Sequence, residues 1–381
     1  MQRTDIHKDP TMFQRFFGPK LTEHSARITP ANLGLRVGAK ETILNAALRQ
    51  EIAFPNNCRA GGCGACKCRL VSGKVKELTD KSYILSSEEL RDNYVLACQS
   101  VPQSDIEIEV QLHADIAPAN TQTVGGTISK IKALTHDIVQ MNLALDRPLA
   151  FTPGQYGELS PQQGSAAGIT RSYSFANVPH ANGSTNEAEF LIRRVPGGRF
   201  TEWLFDEARI GSTINITGSF GNFVLSEAQT PLLCIAGGSG LAPVLSMLQG
   251  ARHTMGHPRK VTLVFGARSQ RDLYMLDAIA ALQREWPADF EFIPVLSEEP
   301  AESNWTGRRG LIPAQLLEML GDALHTHSAY LCGPPGMIDS CVAELKANAV
   351  PDAAIRFDKF LDQSHTATAT ATATARKVAN P

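Results

Sequence analysis

The spacing of apolar residues changes character twice along this chain. Residues 1–23 carry no sustained periodicity and are expected to form a flexible leader, with Met12–Phe17 (MFQRFF) available to a partner or a membrane. From His24 an alternation begins, and Glu41 to Gln50 has the spacing of a short helix. Lys67 to Val75 reads as a strand with a turn at Ser72-Gly73, and residues 105–112 (DIEIEVQL) alternate strictly, as a half-buried strand does. The small, polar HADIAPANTQT then predicts a linker.

From Val124 to about Leu225, short apolar runs are separated by Gly-Gly, Arg-Pro, Thr-Pro-Gly and Pro-Gly-Gly turns. That pattern predicts an antiparallel barrel, interrupted by one helical stretch near Phe200–Ala208. After Thr230-Pro231 the runs become continuous: LLCIAG, VTLVFGA, FEFIPVL and AYLCG, with helical segments between them. Strands apolar on both faces and separated by helices imply a parallel sheet covered on both sides. The closing TATATATATA, Thr366 to Ala375, has a strand's period but almost nothing to bury, so it is expected to be a disordered tail. The predicted organisation is a leader (1–23), three modules (24–115, 120–228 and 229–362) and a tail (363–381).

Composition narrows the possible roles. A chain of 381 residues is long enough for two or three domains, and 43% hydrophobic content can fill their cores. A net charge of −2 provides no basic field to gather nucleic acid, so no nucleic-acid partner is expected. The most apolar long stretch, Pro231–Leu248, is broken by Gly237, Gly238, Ser239, Gly240 and Pro243, so no transmembrane segment of its own is expected. The N-terminus lacks the apolar core of a secretory signal, and the chain reads as a soluble cytoplasmic protein.

The cysteines supply the first chemistry. Cys58, Cys63, Cys66 and Cys68 fall within eleven positions, too dense for an ordinary disulfide framework. Cys58-x4-Cys63-x2-Cys66 with the more distant Cys98 matches the spacing of a plant-type [2Fe–2S] centre. Four thiolates must converge on two irons while main-chain N–H groups approach the sulfides, and Gly61, Gly62 and Gly64 remove side chains that would block that approach. A structural zinc site would more usually pair two short C-x2-4-C knuckles. Cys68 is expected to be a non-ligand, and Cys234 and Cys341 to be small buried hydrophobes.

Four further motifs suit a flavin and a nicotinamide coenzyme. Arg171-Ser172-Tyr173-Ser174 could offer a cation and a ring to a flavin, with the Ser174 hydroxyl near its reactive edge; equally, it could be an exposed arginine beside a core tyrosine. Gly197-Gly198 opens the helical stretch, where N–H groups can meet a pyrophosphate. Gly237-Gly238-Ser239-Gly240 joins a buried strand to a helix, as dinucleotide loops do, although Pro243 stands where a third glycine would fall. Cys332 closes the fourth apolar run, at the end of a parallel strand where such sheets bind ligands; taken alone it reads more simply as a buried cysteine before a proline turn.

In this order, these motifs resemble the NADH-dependent reductase components of bacterial multicomponent aromatic oxygenases, the xylene and toluene monooxygenase reductases in particular. IAFPNNCRAGGCGACKCRLVSGKVKELT, RSYSFAN, RRVPGGRFTEWLF, AGGSGLAP, FGARSQRDLY, VLSEE and YLCGPP carry the resemblance, which runs from about residue 28 to 360. It implies a β-grasp plant-type [2Fe–2S] ferredoxin, an antiparallel β-barrel for FAD and an α/β parallel-sheet module for NAD, the last two similar to ferredoxin–NADP reductases. It further implies that Cys58, Cys63, Cys66 and Cys98 ligate the cluster. Arg171, Tyr173, Ser174, Gly197, Gly198 and Thr201 would hold FAD. Gly238, Gly240 and Cys332 would line the nicotinamide site, with Ser174 and Cys332 beside the hydride path. Phe360 resembles the family's terminal aromatic over the flavin, although this chain continues for 21 residues beyond it.

The implied activity runs from NADH to FAD to [2Fe–2S] to an external terminal oxygenase or hydroxylase, which in some systems of this kind is membrane-bound. Arg268 and Arg271 stand where an acidic residue for the ribose hydroxyls might be sought, which keeps NADPH open. Two other readings differ in class: a reductase for a Rieske dioxygenase or a sugar-deoxygenating enzyme, and a non-enzymatic zinc- or redox-sensing adaptor.

Overall fold

The computed structural model describes residues 23–56, 59, 61, 64–112, 122–254 and 259–360. The expected leader, the Thr-Ala tail and most of the linker lie outside the described residues, as do Cys58 and Cys63.

The first module is built on β1 (His24–Thr29), β2 (Leu33–Val37), α1 (Ile43–Arg49), β3 (Lys67–Ser72), β4 (Val75–Glu77), α2 (Ser87–Arg91), β5 (Tyr94–Leu96), β6 (Ser100–Pro102) and β7 (Ile106–Glu109). Its five-stranded sheet runs β2-β1-β7-β3-β5, and β4 pairs with β6 separately. Ile106 and Ile108 of β7 are buried while Glu107 and Glu109 are less so, which is the alternation read in DIEIEVQL. Helix α1 begins where the Thr42 hydroxyl accepts from the Asn45 N–H, and it buries Ile43, Leu44, Ala46 and Ala47. This mixed sheet with one helix packed on it is the β-grasp arrangement.

The second module contains β8 (Gln122–Ala133), β9 (Ile138–Ala150), β10 (Tyr156–Pro161), β11 (Arg171–Ser174), β12 (Ser184–Arg193), α3 (Arg199–Glu202) and β13 (Thr213–Phe220). The sheet order is β11-β10-β13-β8-β9-β12, and a Phe175–Phe190 bridge joins its two ends into a barrel. The helical stretch near Phe200–Ala208 is confirmed with a difference: α3 widens into a π-turn over Trp203–Glu207. Trp203 and Leu204 are buried by that turn, and Trp203 meets Phe200 edge-on.

The third module contains β14 (Leu232–Gly237), α4 (Leu241–Thr254), β15 (Val261–Ala267), α5 (Leu276–Glu285), β16 (Phe290–Leu296), β17 (Arg308–Arg309), α6 (Leu316–Leu320), β18 (Ser328–Gly333), α7 (Pro335–Ala347) and β19 (Ile355–Lys359). Its parallel sheet runs β17-β16-β15-β14-β18-β19, with a separate apolar cluster on each face. The four continuous apolar runs are the four central strands. The edge strands β17 and β19 were not visible in the pattern, because edge strands are short and keep charged residues. Strand order reverses between β14 and β18, the point at which open parallel sheets leave a crevice beyond their carboxyl ends.

Candidate functional site

The cysteine loop begins where α1 ends and re-enters the sheet at β3. Of the four expected ligands, Cys66 and Cys98 are described, and both are buried. The Ala97 N–H donates to the Cys66 carbonyl at 3.0 Å and the Cys98 N–H donates to Cys66 Sγ at 3.5 Å, which brings the two residues together although 32 positions separate them. An amide aimed at a sulfur stabilises a thiolate, as an iron–sulfur ligand requires. Gly61 has φ +81°, and a Cβ there would lie 2.7 Å from the Gln99 side chain, so glycine lets the cysteine loop pack against the residue after Cys98. Cys68, two residues further on, is enclosed in the core of the first module, where burial pushes its thiol pKa up.

A cavity of about 230 Å³ opens where the barrel meets the parallel sheet. Register brings Arg171, Tyr173 and Ser174 to it: β11 pairs with β10 so that Ser174 lies opposite Tyr156 and Arg171 opposite Leu159. Arg171, Ser172, Tyr173 and Ser174 all line this space, as do Gly198, Thr201 and Phe360. The Tyr173 ring packs on Phe200 at 4.9 Å. The Thr201 hydroxyl accepts from the Val195 N–H at 3.1 Å and can donate to the Gly198 carbonyl at 3.0 Å, so it holds together the turn that forms the wall. Gly197 has φ +72° and open space where a Cβ would project. Phe360 reaches the cavity because its N–H donates to the Gly333 carbonyl at 2.9 Å, anchoring the residue that follows β19.

The residues expected around the nicotinamide are dispersed. Gly238 lines a second cavity of about 270 Å³, which runs beyond the carboxyl ends of β14, β15 and β16. Gly240 lines neither cavity; a Cβ there would collide with the Cys332 carbonyl, so this glycine lets the loop lie against β18. Cys332 is fully buried, and burial, then the charge of Asp358 on the neighbouring strand, raises its thiol pKa. Its successors Gly333 and Pro334 reach the first cavity, and Pro334 also lines the second.

Several contributors escaped the sequence reading. Arg193, at the end of β12, lines both cavities, as do Pro334 and, from the glycine loop already read in the sequence, Gly237. Asp358 and Lys359 of β19 line the first and are almost fully buried; the Lys359 ammonium pairs with Asp339 at 2.5 Å. In the second cavity Arg268 donates to Asp137 Oδ2 at 3.2 Å and lies 3.8 Å from Asp272 Oδ1. Two carboxylates therefore already claim the arginine that might have received a 2′-phosphate. Arg271 is exposed and lines neither cavity. The Arg-Arg and Asp-Lys pairs in IRRVPGG and FDKF were the available signals, but charged pairs at strand ends are common.

Chemically, the first cavity provides apolar walls, hydroxyls and a cation for a large flat cofactor with a phosphate chain. The second offers a glycine loop at the sheet's switch point for a dinucleotide.

Comparison with known proteins agrees with this division. A 2Fe–2S iron–sulfur cluster binding domain matches residues 28–103, an oxidoreductase FAD-binding domain residues 126–225, and an oxidoreductase NAD-binding domain residues 234–343. The chain is 41% identical to the xylene/toluene monooxygenase electron transfer component of Pseudomonas putida, over 90% of this chain and 95% of that protein. It is 33% identical to the propane 2-monooxygenase reductase component of Mycolicibacterium goodii, over 88% and 97%. A solved ferredoxin reductase in carbazole 1,9a-dioxygenase superposes with a TM-score of 0.70 at 31% identity, covering 89% of this chain and 99% of that one.

Proposed function

The chain belongs to the reductase, or electron-transfer, components of bacterial oxygenase systems, and we propose on that footing that it carries electrons from NADH through FAD and a [2Fe–2S] cluster to the terminal hydroxylase of an aromatic-compound oxygenase. The observation that carries this reading is the cavity between barrel and parallel sheet, lined by Arg171, Ser174 and Phe360 and adjoining the dinucleotide crevice through Gly237, Pro334 and Arg193. When bound, FAD supplies the conversion of one hydride into two single electrons, and the cluster relays them one at a time.

In this reading the modules span 24–115, 120–228 and 229–362. Cys58, Cys63, Cys66 and Cys98 hold the cluster. Arg171 neutralises the flavin's phosphate, Tyr173 and Ser174 face its ring, and Gly197, Gly198 and Thr201 shape the wall beside its pyrophosphate. Gly238 meets the coenzyme, whereas Gly240 and Cys332 act beneath it by fixing how the loop packs. Phe360 would cover the flavin ring in the absence of nicotinamide, and the largely apolar lining would limit water beside the site of hydride transfer.

NADH is favoured over NADPH because Asp137 and Asp272 engage Arg268 and would repel a 2′-phosphate. Among the described residues no helix is long and apolar enough to cross a membrane. We place the protein in the cytoplasm, reaching a membrane-bound hydroxylase from that side. The 41% identity to the xylene/toluene monooxygenase component supports this choice of partner over a Rieske dioxygenase.

Anaerobic stopped-flow spectroscopy tests the proposal. NADH should bleach a flavin band first and a [2Fe–2S] band second, and the reduced protein should support an added aromatic hydroxylase. A colourless zinc protein, or a flavin that NADH does not reduce, would refute it.

A further inference from the structure

No strand of the ferredoxin sheet pairs with a strand of the barrel among the described residues, so a different contact must set the cluster's position against the flavin. Arg59, in the cysteine loop, supplies one. Its guanidinium carbon lies 3.8 Å from the centroid of the Phe220 ring. Phe220, the last residue of β13, is buried and leans on Tyr156 at 5.6 Å. Tyr156 begins β10, sits opposite Ser174 and lines the flavin cavity. Three side chains in sequence thus lead from the residue after Cys58 to the wall of the flavin site.

This is not an ordinary surface arginine. Its Nε is buried without a hydrogen-bond partner among the described residues. Leaving a guanidinium N–H dry is costly, and the electron-rich face of the ring offsets that cost. Glu158, two residues along β10 from Tyr156, adds a carboxylate whose charge acts on Arg59.

We propose that Arg59 is a positioning residue, latching the cluster loop onto Phe220 of the FAD barrel and so fixing the path from flavin to cluster. The inference rests on the proposed function and deepens it. NADH gives up two electrons and one proton as it becomes NAD+. The electrons cross the latched interface singly, each converting the diferric cluster to the mixed-valent state before passing to the oxygenase, and the proton is released to solvent. Arg59 takes no part in the hydride step, so its loss should affect only the crossing.

The test compares Arg59→Met, Arg59→Lys and Phe220→Leu in the full, cofactor-loaded chain, with iron and FAD content measured for each. In Arg59→Met, NADH should reduce the flavin at the normal rate. Appearance of the reduced-cluster EPR signal should slow roughly tenfold, the effect of losing a desolvated cation–π contact from the docked population. Phe220→Leu should show the same slowing, the double variant should be no slower than either single one, and Arg59→Lys should recover part of the rate. Small-angle scattering, which needs no turnover, should show a larger radius of gyration for Arg59→Met with or without cofactors. If Arg59→Met loses its cluster, Phe220→Leu decides. Normal transfer and normal dimensions in a variant that keeps both cofactors would overturn the latch. A wild-type protein lacking either chromophore would instead overturn the proposed function.

Discussion

On the proposed reading, the cysteine loop and the flavin seam solve the same problem, holding a redox group, in opposite ways. Cys66 and Cys98, the two proposed ligands among the described residues, meet through amide contacts inside the core of one module. The seam draws Arg171 from β11, Thr201 from α3 and Phe360 from beyond β19, so two separate sheets must meet before the site exists. A coordinated metal centre depends on every ligand, whereas a non-covalent site distributes its binding over many contacts. Damage to the first should be all-or-none and damage to the second graded.

The largest effect is expected from Cys98→Ala. It should abolish the [2Fe–2S] absorption while FAD stays bound, and NADH-driven reduction of a dye that accepts from the flavin should persist. Cys68→Ser is its internal control and should leave the cluster intact, since Cys68 falls outside the Cys58-x4-Cys63-x2-Cys66 and Cys98 ligand spacing. Loss of the cluster in that variant would reassign the ligands.

The flavin seam should respond by degrees. Arg171→Ala removes a charge-assisted contact worth roughly 1.5–3 kcal/mol, so FAD affinity, followed by flavin fluorescence, should fall about tenfold or more without vanishing. An all-or-none loss would erase the contrast between the two sites.

A smaller effect is expected at the coenzyme cavity. Asp137→Ala releases Arg268 from one of its two carboxylates. Partly exposed pairs of this kind are worth up to about 1 kcal/mol, so kcat/KM for NADPH should rise up to about fivefold while that for NADH changes little. Unchanged discrimination would mean that Arg268 does not face the 2′ position. The smallest effect belongs to the tail: truncation after Asp362 should leave FAD content, NADH kinetics and thermal stability as they were. A several-fold shift in KM for NADH would show that the tail holds Phe360 in place.

How far the sequence could be read follows the same division. The cysteine spacing and the four apolar runs were legible because local rules govern them: ligand spacing in one loop, and continuous burial of central strands. What stayed hidden depends on distant neighbours. In IRFDK, charged residues alternate with Ile355 and Phe357, and nothing nearby announces that Asp358 and Lys359 will be buried; their burial comes from β18 and α7, packed on them from elsewhere in the chain. Gly240 looked like a phosphate-loop glycine, yet its lack of a side chain is needed by the carbonyl of Cys332, 92 residues later in the chain. The widening of α3 into a π-turn had no composition cue at all.

The position of Phe360 also bears on how the protein is made. A ribosome delivers the chain N-terminus first, and domains fold as they emerge. The ferredoxin sheet is complete once β7 has left the exit tunnel, so its thiols can accept iron and sulfide while most of the polypeptide is still being translated. The cavity proposed for the flavin lacks its last lining residues until β19 and Phe360 arrive. On the proposed reading, cluster assembly can therefore begin before the flavin site is complete, and flavin affinity should reach its full value only when the last lining residues have been synthesised.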